Sequence, residues 1–332
     1  MLFKTVIDYE IIEKLNSEGA NSTLYIVKDS QLQEEFILKK IEKQKIKNIE
    51  KYFDESKKLF RLNHPNIINI NNTSYDKANI FICMPYYKNG SLLSLIKTKN
   101  LTINEILNYS IQFLYAIDYL HNKNIIHCDI KPSNILLDDD NNCILTDFGS
   151  ALYLDKNERA KLKNVYYKHI APEQSKTSYV NKQLDIYQIG TTLYRMCNGN
   201  YDYSRQLKRY KNIEEIKKAC GEGNLPIRKK YLPHIPKSLI SIIEKCLSMK
   251  PNDRYKNVSE IIYEIDNIKN GNDLRYHILK GGFLWEDKKS SILLKKDSEF
   301  KLYLNKKLIG SYQKKGDAYK VIRKTIKENT LL

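Results

Sequence analysis

The sequence predicts an α+β fold: a strand-rich first part, a helical second part, and a closing segment that returns to strands before one last helix. Three observations carry this. Before residue 84, segments such as "STLYIVKD" and "EFILKKI" alternate apolar and polar side chains with the period of two that suits half-buried strands. From residue 89 onward, "LTINEILNYSIQFLYAIDYLHNKN", "LDIYQIGTTLYRMCNG" and "PKSLISIIEKCLSMKP" place apolar residues at helical spacing over several turns. Beyond residue 270, "FKLYLN" alternates Phe300, Leu302 and Leu304 with Lys301 and Tyr303, while Ala318, Val321, Ile322 and Thr325 share one face of a predicted helix.

In order, the first part should hold short strands and one helix near "IEKYFDESKKLFRLN". The whole chain has 332 residues, room for one large domain with an appendage or for two ordinary domains. No run approaches the roughly 18 apolar residues that span a bilayer, and the opening "MLFKTVIDYE" lacks the order of a secretory signal, so the expectation is a cytoplasmic protein with no membrane partner. Six cysteines (Cys83, Cys128, Cys143, Cys197, Cys220, Cys246) are scattered without a CxxC pair, which argues against zinc and against a disulfide framework. The net charge of +17 suits a polyanionic partner, but lysine is abundant throughout, as are asparagine and isoleucine, and a coding bias yields the same excess.

Chemistry concentrates in "IIHCDIKPSNILL", residues 125–137, where His127, Asp129, Lys131 and Asn134 lie between apolar flanks, followed by "DFG" at 147–149 and "APE" at 171–173. This ordered set resembles the catalytic core of eukaryotic-type serine/threonine protein kinases, whose pattern is HRDxKxxN, DFG, APE. The resemblance covers roughly residues 9–268. It implies a bilobal α+β kinase fold, with an N-lobe to about residue 84, a hinge at 85–88 and a C-lobe at 89–270; residues 271–332, beyond the resemblance, read from their own pattern as a basic strand-and-helix module.

It also implies roles. Phosphoryl transfer needs a positioned hydroxyl and cations that spread the charge of the transferring group. Asp129 would orient the substrate hydroxyl, Lys131 would offer its cation to the γ-phosphate, and Asn134 with Asp147 would hold Mg2+ on ATP. "EFILKKI" resembles the VAIK strand, making Lys39 the α/β-phosphate ligand and Glu55, ten residues before the proline of "HPNI", its helix partner. "IFICMPYYKNGSL" resembles the hinge, with Met84 as gatekeeper and the backbone of Pro85 and Tyr87 toward adenine. The Gly-rich phosphate loop aligns with "SEGANSTL", giving Ser17, Gly19 and Ser22 where three glycines stand in the family. Asp185 in "LDIYQIG" matches the helix aspartate that holds the catalytic-loop backbone. Arg254 matches the partner of Glu173, and Leu59, Ile70, His127 and Phe148 match a stacked apolar spine.

Three departures matter. Cys128 replaces the arginine that in many members reads a phosphorylated activation segment. After Ser150 the segment through "APE" holds no serine or threonine, leaving the hydroxyls of Tyr153, Tyr166 and Tyr167. Both absences point to a segment ordered without phosphate; a redox-sensing Cys128 is the sharper alternative. Tyr166 also stands where the family has a threonine. Lys156, Lys161, Lys163 and Lys168 would favour acidic substrates or form a solvated loop. The function implied is transfer of the ATP γ-phosphate to Ser/Thr hydroxyls of protein substrates. A pseudokinase scaffold is one alternative. A nucleic-acid-associated regulator is another, because residues 271–332 carry 15 lysines and arginines against 7 aspartates and glutamates, a surface also suited to a docking partner.

Overall fold

The computed structural model describes residues 7–15, 22–46, 62–162, 169–175, 177–228, 231–269 and 273–328. The helix expected near residues 49–63 falls almost entirely outside them, at 47–61. The chain divides into two compact units, residues 1–89 with 137–146, and residues 90–136 with 147–332.

In the first unit, β1 (Tyr9–Leu15), β2 (Ser22–Asp29), β3 (Glu35–Glu42), β4 (Asn72–Tyr75) and β5 (Asn79–Pro85) form one antiparallel sheet in the order β1-β2-β3-β5-β4. The register places buried Val27 and Cys83 on one face of the sheet and buried Ile41 and Ile80 on the other. Turn chemistry sets the register. Asp29 Oδ1 accepts hydrogen bonds from the amides of Gln31 and Leu32 at 2.8 Å each, and Gln33 takes the left-handed conformation (φ 60°) that reverses the chain into β3. Pro85 ends β5 two residues past the last β4 pair, Asn72 with Cys83, so its missing N–H removes no bond to β4.

The second unit is mainly helical: α1 (Leu92–Thr98), α2 (Ile103–Asn122), α3 (Lys182–Asn198), α4 (Asn200–Leu207), α5 (Ile213–Gly221), α6 (Lys237–Cys246) and α7 (Val258–Asp266). Ser91 and Thr102 close capping boxes on α1 and α2, and Asn181, Asn212 and Asn257 cap α3, α5 and α7. Helix α3 is the spine of this unit, buried from Leu184 to Cys197. Gly190 lets α6 approach it, because a Cβ there would lie 2.7 Å from Cys246 Cβ and 3.0 Å from Leu247 Cγ. Short strands punctuate the intervening loops: β6 (Ile125–Ile126), β7 (Ile135–Leu137), β8 (Cys143–Leu145), the last belonging to the first unit, then β9 (Leu152–Tyr153), β10 (Ala160–Lys161) and β11 (Tyr179–Val180). β6 pairs with β9, and β10 with β11.

The closing segment is a meander of five antiparallel strands, β12 (Arg275–Leu279), β13 (Gly282–Glu286), β14 (Ser291–Lys296), β15 (Phe300–Leu304) and β16 (Lys307–Tyr312), covered by α8 (Lys315–Lys327). Tyr276, Trp285, Leu294 and Leu302 from one face of the sheet pack with Ala318 and Ile322 of α8. Leu302 and the 318/322 pair occupy the buried positions that the two periodicities predict. This segment is bound to the helices. Trp285 Nε1 donates to His234 Nδ1 at 3.0 Å, Asp273 Oδ1 accepts from the amide of Asn104, and Arg275 makes a two-bond ion pair with Glu105 at 3.0 Å per bond.

Candidate active site

The loop between β6 and β7 is shaped by the helix beneath it. Cys128 adopts φ 65°, a left-handed conformation uncommon for a residue with a Cβ, and the peptide groups around it are held from α3. Asp185 Oδ2 accepts from the amide of His127, and its Oδ1 from the amide of Cys128, both at 2.8 Å. The same Oδ2 lies 2.8 Å from His121 Nε2. One turn further along α3, Gln188 reaches the same loop: its Oε1 accepts from Ile130 N–H and its Nε2 donates to Cys128 C=O, each at 2.9 Å. The role implied for Asp185 thus has its geometry, while Gln188 was missed in the sequence reading. Its one signal was its place three residues after Asp185, on the same helix face.

So held, the loop brings Asp129, Lys131 and Asn134 together. Asp129 is buried, at 7% exposure. Its Oδ2 lies 2.9 Å from Lys131 Nζ and accepts from Asn134 Nδ2 at 3.0 Å; the same Nδ2 also donates to the Asp129 carbonyl at 2.9 Å. Asp129 Oδ1 is buried with no hydrogen-bond partner among the described residues. Burial pushes the Asp129 carboxyl above its ordinary range; Lys131 works against this, and Asp147 adds to it by like-charge repulsion. Asp147 has φ 62°, and the next residue's ring, Phe148, lies 5.0 Å from the His127 ring, centroid to centroid. With Asn134 Nδ2 spent on Asp129, its amide oxygen and the Asp147 carboxylate are the hard oxygen donors of the kind Mg2+ takes alongside water and phosphate oxygens.

Cys128 does not fit a redox role. It is buried, and burial first, then Asp185 and Asp129, push its thiol well above the ordinary range, which leaves it protonated and unreactive. In the activation segment, Glu173 and Arg254 form a two-bond ion pair at 2.7 Å per bond, and the same guanidinium donates to the carbonyls of Gln183 and Ser248. His169 Nε2 faces Arg195 Nη1 at 2.8 Å. Tyr166, Tyr167, Lys163 and Lys168 lie outside the described residues, as do Ser17, Gly19, Glu55 and Leu59.

The remaining candidates belong to the first unit. Lys39 sits mid-β3, in register with Leu24 of β2 and Ile82 of β5. Ser22 opens β2 opposite Ile41. Met84 and Pro85 end β5 opposite Ile37 and Phe36, and half-buried Tyr87 follows, its phenol raised by burial and then by Asp138. Ile70 is half-buried. No helix among the described residues is long and apolar enough to cross a membrane.

Comparison with known proteins matches the protein kinase domain over residues 9–264. A Clostridium acetobutylicum protein named "Probable serine/threonine-protein kinase" is 29% identical over 268 residues, 79% of this chain and 40% of that protein. The cAMP-dependent protein kinase type 3 of Saccharomyces cerevisiae is 28% identical over 84% of this chain and 66% of its own length. The serine/threonine-protein kinase PrkC of Bacillus subtilis is 27% identical over 77% of this chain and 40% of its own. The match thus spans between two fifths and two thirds of these relatives. With the family pattern extending over three quarters of its length, the chain belongs to the protein kinase family.

Proposed function

We propose that the chain is a serine/threonine protein kinase that transfers the γ-phosphate of ATP to protein hydroxyls. One observation carries the reading: of the two Asp129 oxygens, Oδ2 is fixed by Lys131 and Asn134, while buried Oδ1 has no hydrogen-bond partner among the described residues. A buried carboxylate oxygen without a donor is costly unless something donates to it in the working state. A substrate hydroxyl does so. Asp129 then aligns that hydroxyl for in-line attack and takes its proton, a task helped by the upward push that burial gives its carboxyl. Lys131, held against Oδ2, would neutralise charge beside the transferring group, and the Asn134 and Asp147 oxygens would hold Mg2+. Bound there, the ion would supply positive charge to the phosphates.

Lys39, with Glu55, would bind the α/β-phosphates, Ser17, Gly19 and Ser22 would cover them, and Met84, Pro85 and Tyr87 would border adenine. These roles rest on the motif match. A pseudokinase would bind nucleotide without turnover, so wild-type protein and Asp129→Asn are compared with labelled MgATP and a Ser/Thr peptide. We expect transfer by wild type, loss of at least about a thousandfold in the variant, and little change in ATP affinity. Equal transfer by the variant refutes the assignment of Asp129.

Activity independent of activation-segment phosphate is part of the proposal. It is supported by the backbone grip on residues 127–130 from α3, which needs no arginine at 128. A docking role for β12–β16 is a second reading, favoured by the sheet face opposite the Trp285 core. There Leu284, Leu293, Tyr303 and Leu308 stand in register across four strands, beside Lys295 directly opposite Lys301. Like charges so paired disfavour the sheet, and an acidic protein segment relieves them while covering the leucines. A nucleic acid would satisfy the lysines and leave the leucines unused.

A further inference from the structure

We propose that Gln188 is a positioning residue of the catalytic loop: its side-chain amide sets where Asp129 stands by gripping the peptide groups on both sides of it. The inference rests on the kinase reading above and assigns a role to a residue of the "LDIYQIG" stretch that the motif match leaves without one. The Gln188 side chain is bound at both ends, its Oε1 to Ile130 N–H and its Nε2 to Cys128 C=O, at 2.9 Å each. The backbone groups fix the orientation of the amide, since an N–H only donates and a C=O only accepts. Asp129 is the residue spanned by this grip, so a shift of either bond moves its carboxylate.

The grip continues the one made by Asp185. Together the two side chains, three residues apart on α3, hold the amides of His127 and Cys128, the carbonyl of Cys128 and the amide of Ile130. Three of the four residues 127–130 are thereby tied to one buried helix, with Asp129 between them. Cys128 needs such support, because its left-handed backbone is held against its own preference, and the one hydrogen-bonding contact of its side chain among the described residues is a weak one, 3.9 Å from Sγ to Ile126 C=O. Gln188 is itself buried at 2% exposure, so neither of its bonds is replaced by water if broken.

Two variants of the full-length chain test this. Gln188→Met keeps volume and removes both bonds; Gln188→Glu keeps shape, and its ionised form can accept from Ile130 but cannot donate to Cys128. With saturating MgATP and peptide, at a temperature where the thermal midpoints show both variants folded, kcat is expected to fall about ten- to a hundredfold in Gln188→Met, with the KM for ATP within about twofold of wild type. In Gln188→Glu the protonated carboxyl restores the donor, so kcat relative to wild type should rise as pH falls through the titration of Glu at this position. The titratable groups around it are Asp185 and His121 beneath the loop, and His127, Cys128, Asp129 and Lys131 within it. A purely structural role predicts lower thermal midpoints with wild-type kcat. Wild-type kcat in folded Gln188→Met, or a Gln188→Glu profile parallel to wild type, overturns the proposal. A wild-type chain that transfers no phosphate overturns the kinase reading and this inference with it.

Discussion

Arg275→Gln should loosen the closing segment from the helices and blunt the acid sensitivity of that contact. Arg275 begins β12 and gives two hydrogen bonds of 3.0 Å to the carboxylate of Glu105 in the first turn of α2; Lys99 and the amide of Thr102 supply further bonds at 2.9 Å. Burial pushes the Glu105 carboxyl up, but the bonds from Arg275, Lys99 and Thr102 outweigh it and hold the group down to about 2. Against an ordinary value of 4.5, that depression corresponds to about 3 kcal/mol at about 1.4 kcal/mol per tenfold. Shared among three partners, and reduced by solvent because the two side chains are 30% and 24% exposed, it leaves about 1 kcal/mol to Arg275. The sign follows from the depressed value. This stability is complete above about pH 4.5 and is lost as pH falls toward 2. The chain's single tryptophan, Trp285, lies in the same segment, so its fluorescence during urea unfolding reports on this contact. At pH 7 and low salt the variant should unfold with about 1 kcal/mol less stability, and between pH 5 and pH 3 it should lose less than wild type does. Equal stability at pH 7, or the same decline with acid in both proteins, refutes the reasoning.

Complete phosphatase treatment should leave the transfer rate within about twofold, since the loop is held by Asp185 and Gln188 instead of by a phosphate-reading arginine; a large loss mapped to Tyr153, Tyr166 or Tyr167 contradicts this. Lys295→Glu with Lys301→Glu, which reverses the facing pair on β14 and β15, should weaken phosphorylation of an acidic docking-dependent substrate while sparing a short generic peptide. Equal rates on both substrates would leave the sheet a structural cap, and lost salt-dependent binding of duplex DNA would favour the nucleic-acid reading.

How much of this was legible beforehand differs by kind of signal. The order of strands, helices and closing meander followed from periodicity, because period two and period 3.6 bury different sets of side chains; Leu302 and the Ala318/Ile322 pair show it directly. The Arg254–Glu173 pair and the Asp185 contacts followed from motif positions. What the sequence left obscure was pairing between distant residues without a motif. Gln188 reads as one more polar residue in a helix, and only the path of the loop across α3 gives it two partners 58 and 60 residues away. The joint at Trp285 and His234, 51 residues apart, was hidden likewise. A lysine-rich tail looks like a solvated appendage when its charges are counted, while its burial depends on eight uncharged residues, Trp285 and Leu302 among them, that a count of charges does not weigh.

The same contrast bears on the proposed reading of Cys128. Where the catalytic loop carries arginine, a phosphate on the activation segment can supply part of its order through that side chain. Here the order comes from below: α3 is buried along fourteen successive residues from Leu184 to Cys197, and Gly190 seats it against α6 closely enough that a methyl group would collide. A helix so packed offers Asp185 and Gln188 as fixed points, and their four bonds reach the loop's backbone, which every residue type possesses. On the reading proposed above, the side chain at 128 is released from an ordering task. What it must satisfy is burial in a small space at positive φ, which cysteine does as a small apolar group with its thiol protonated.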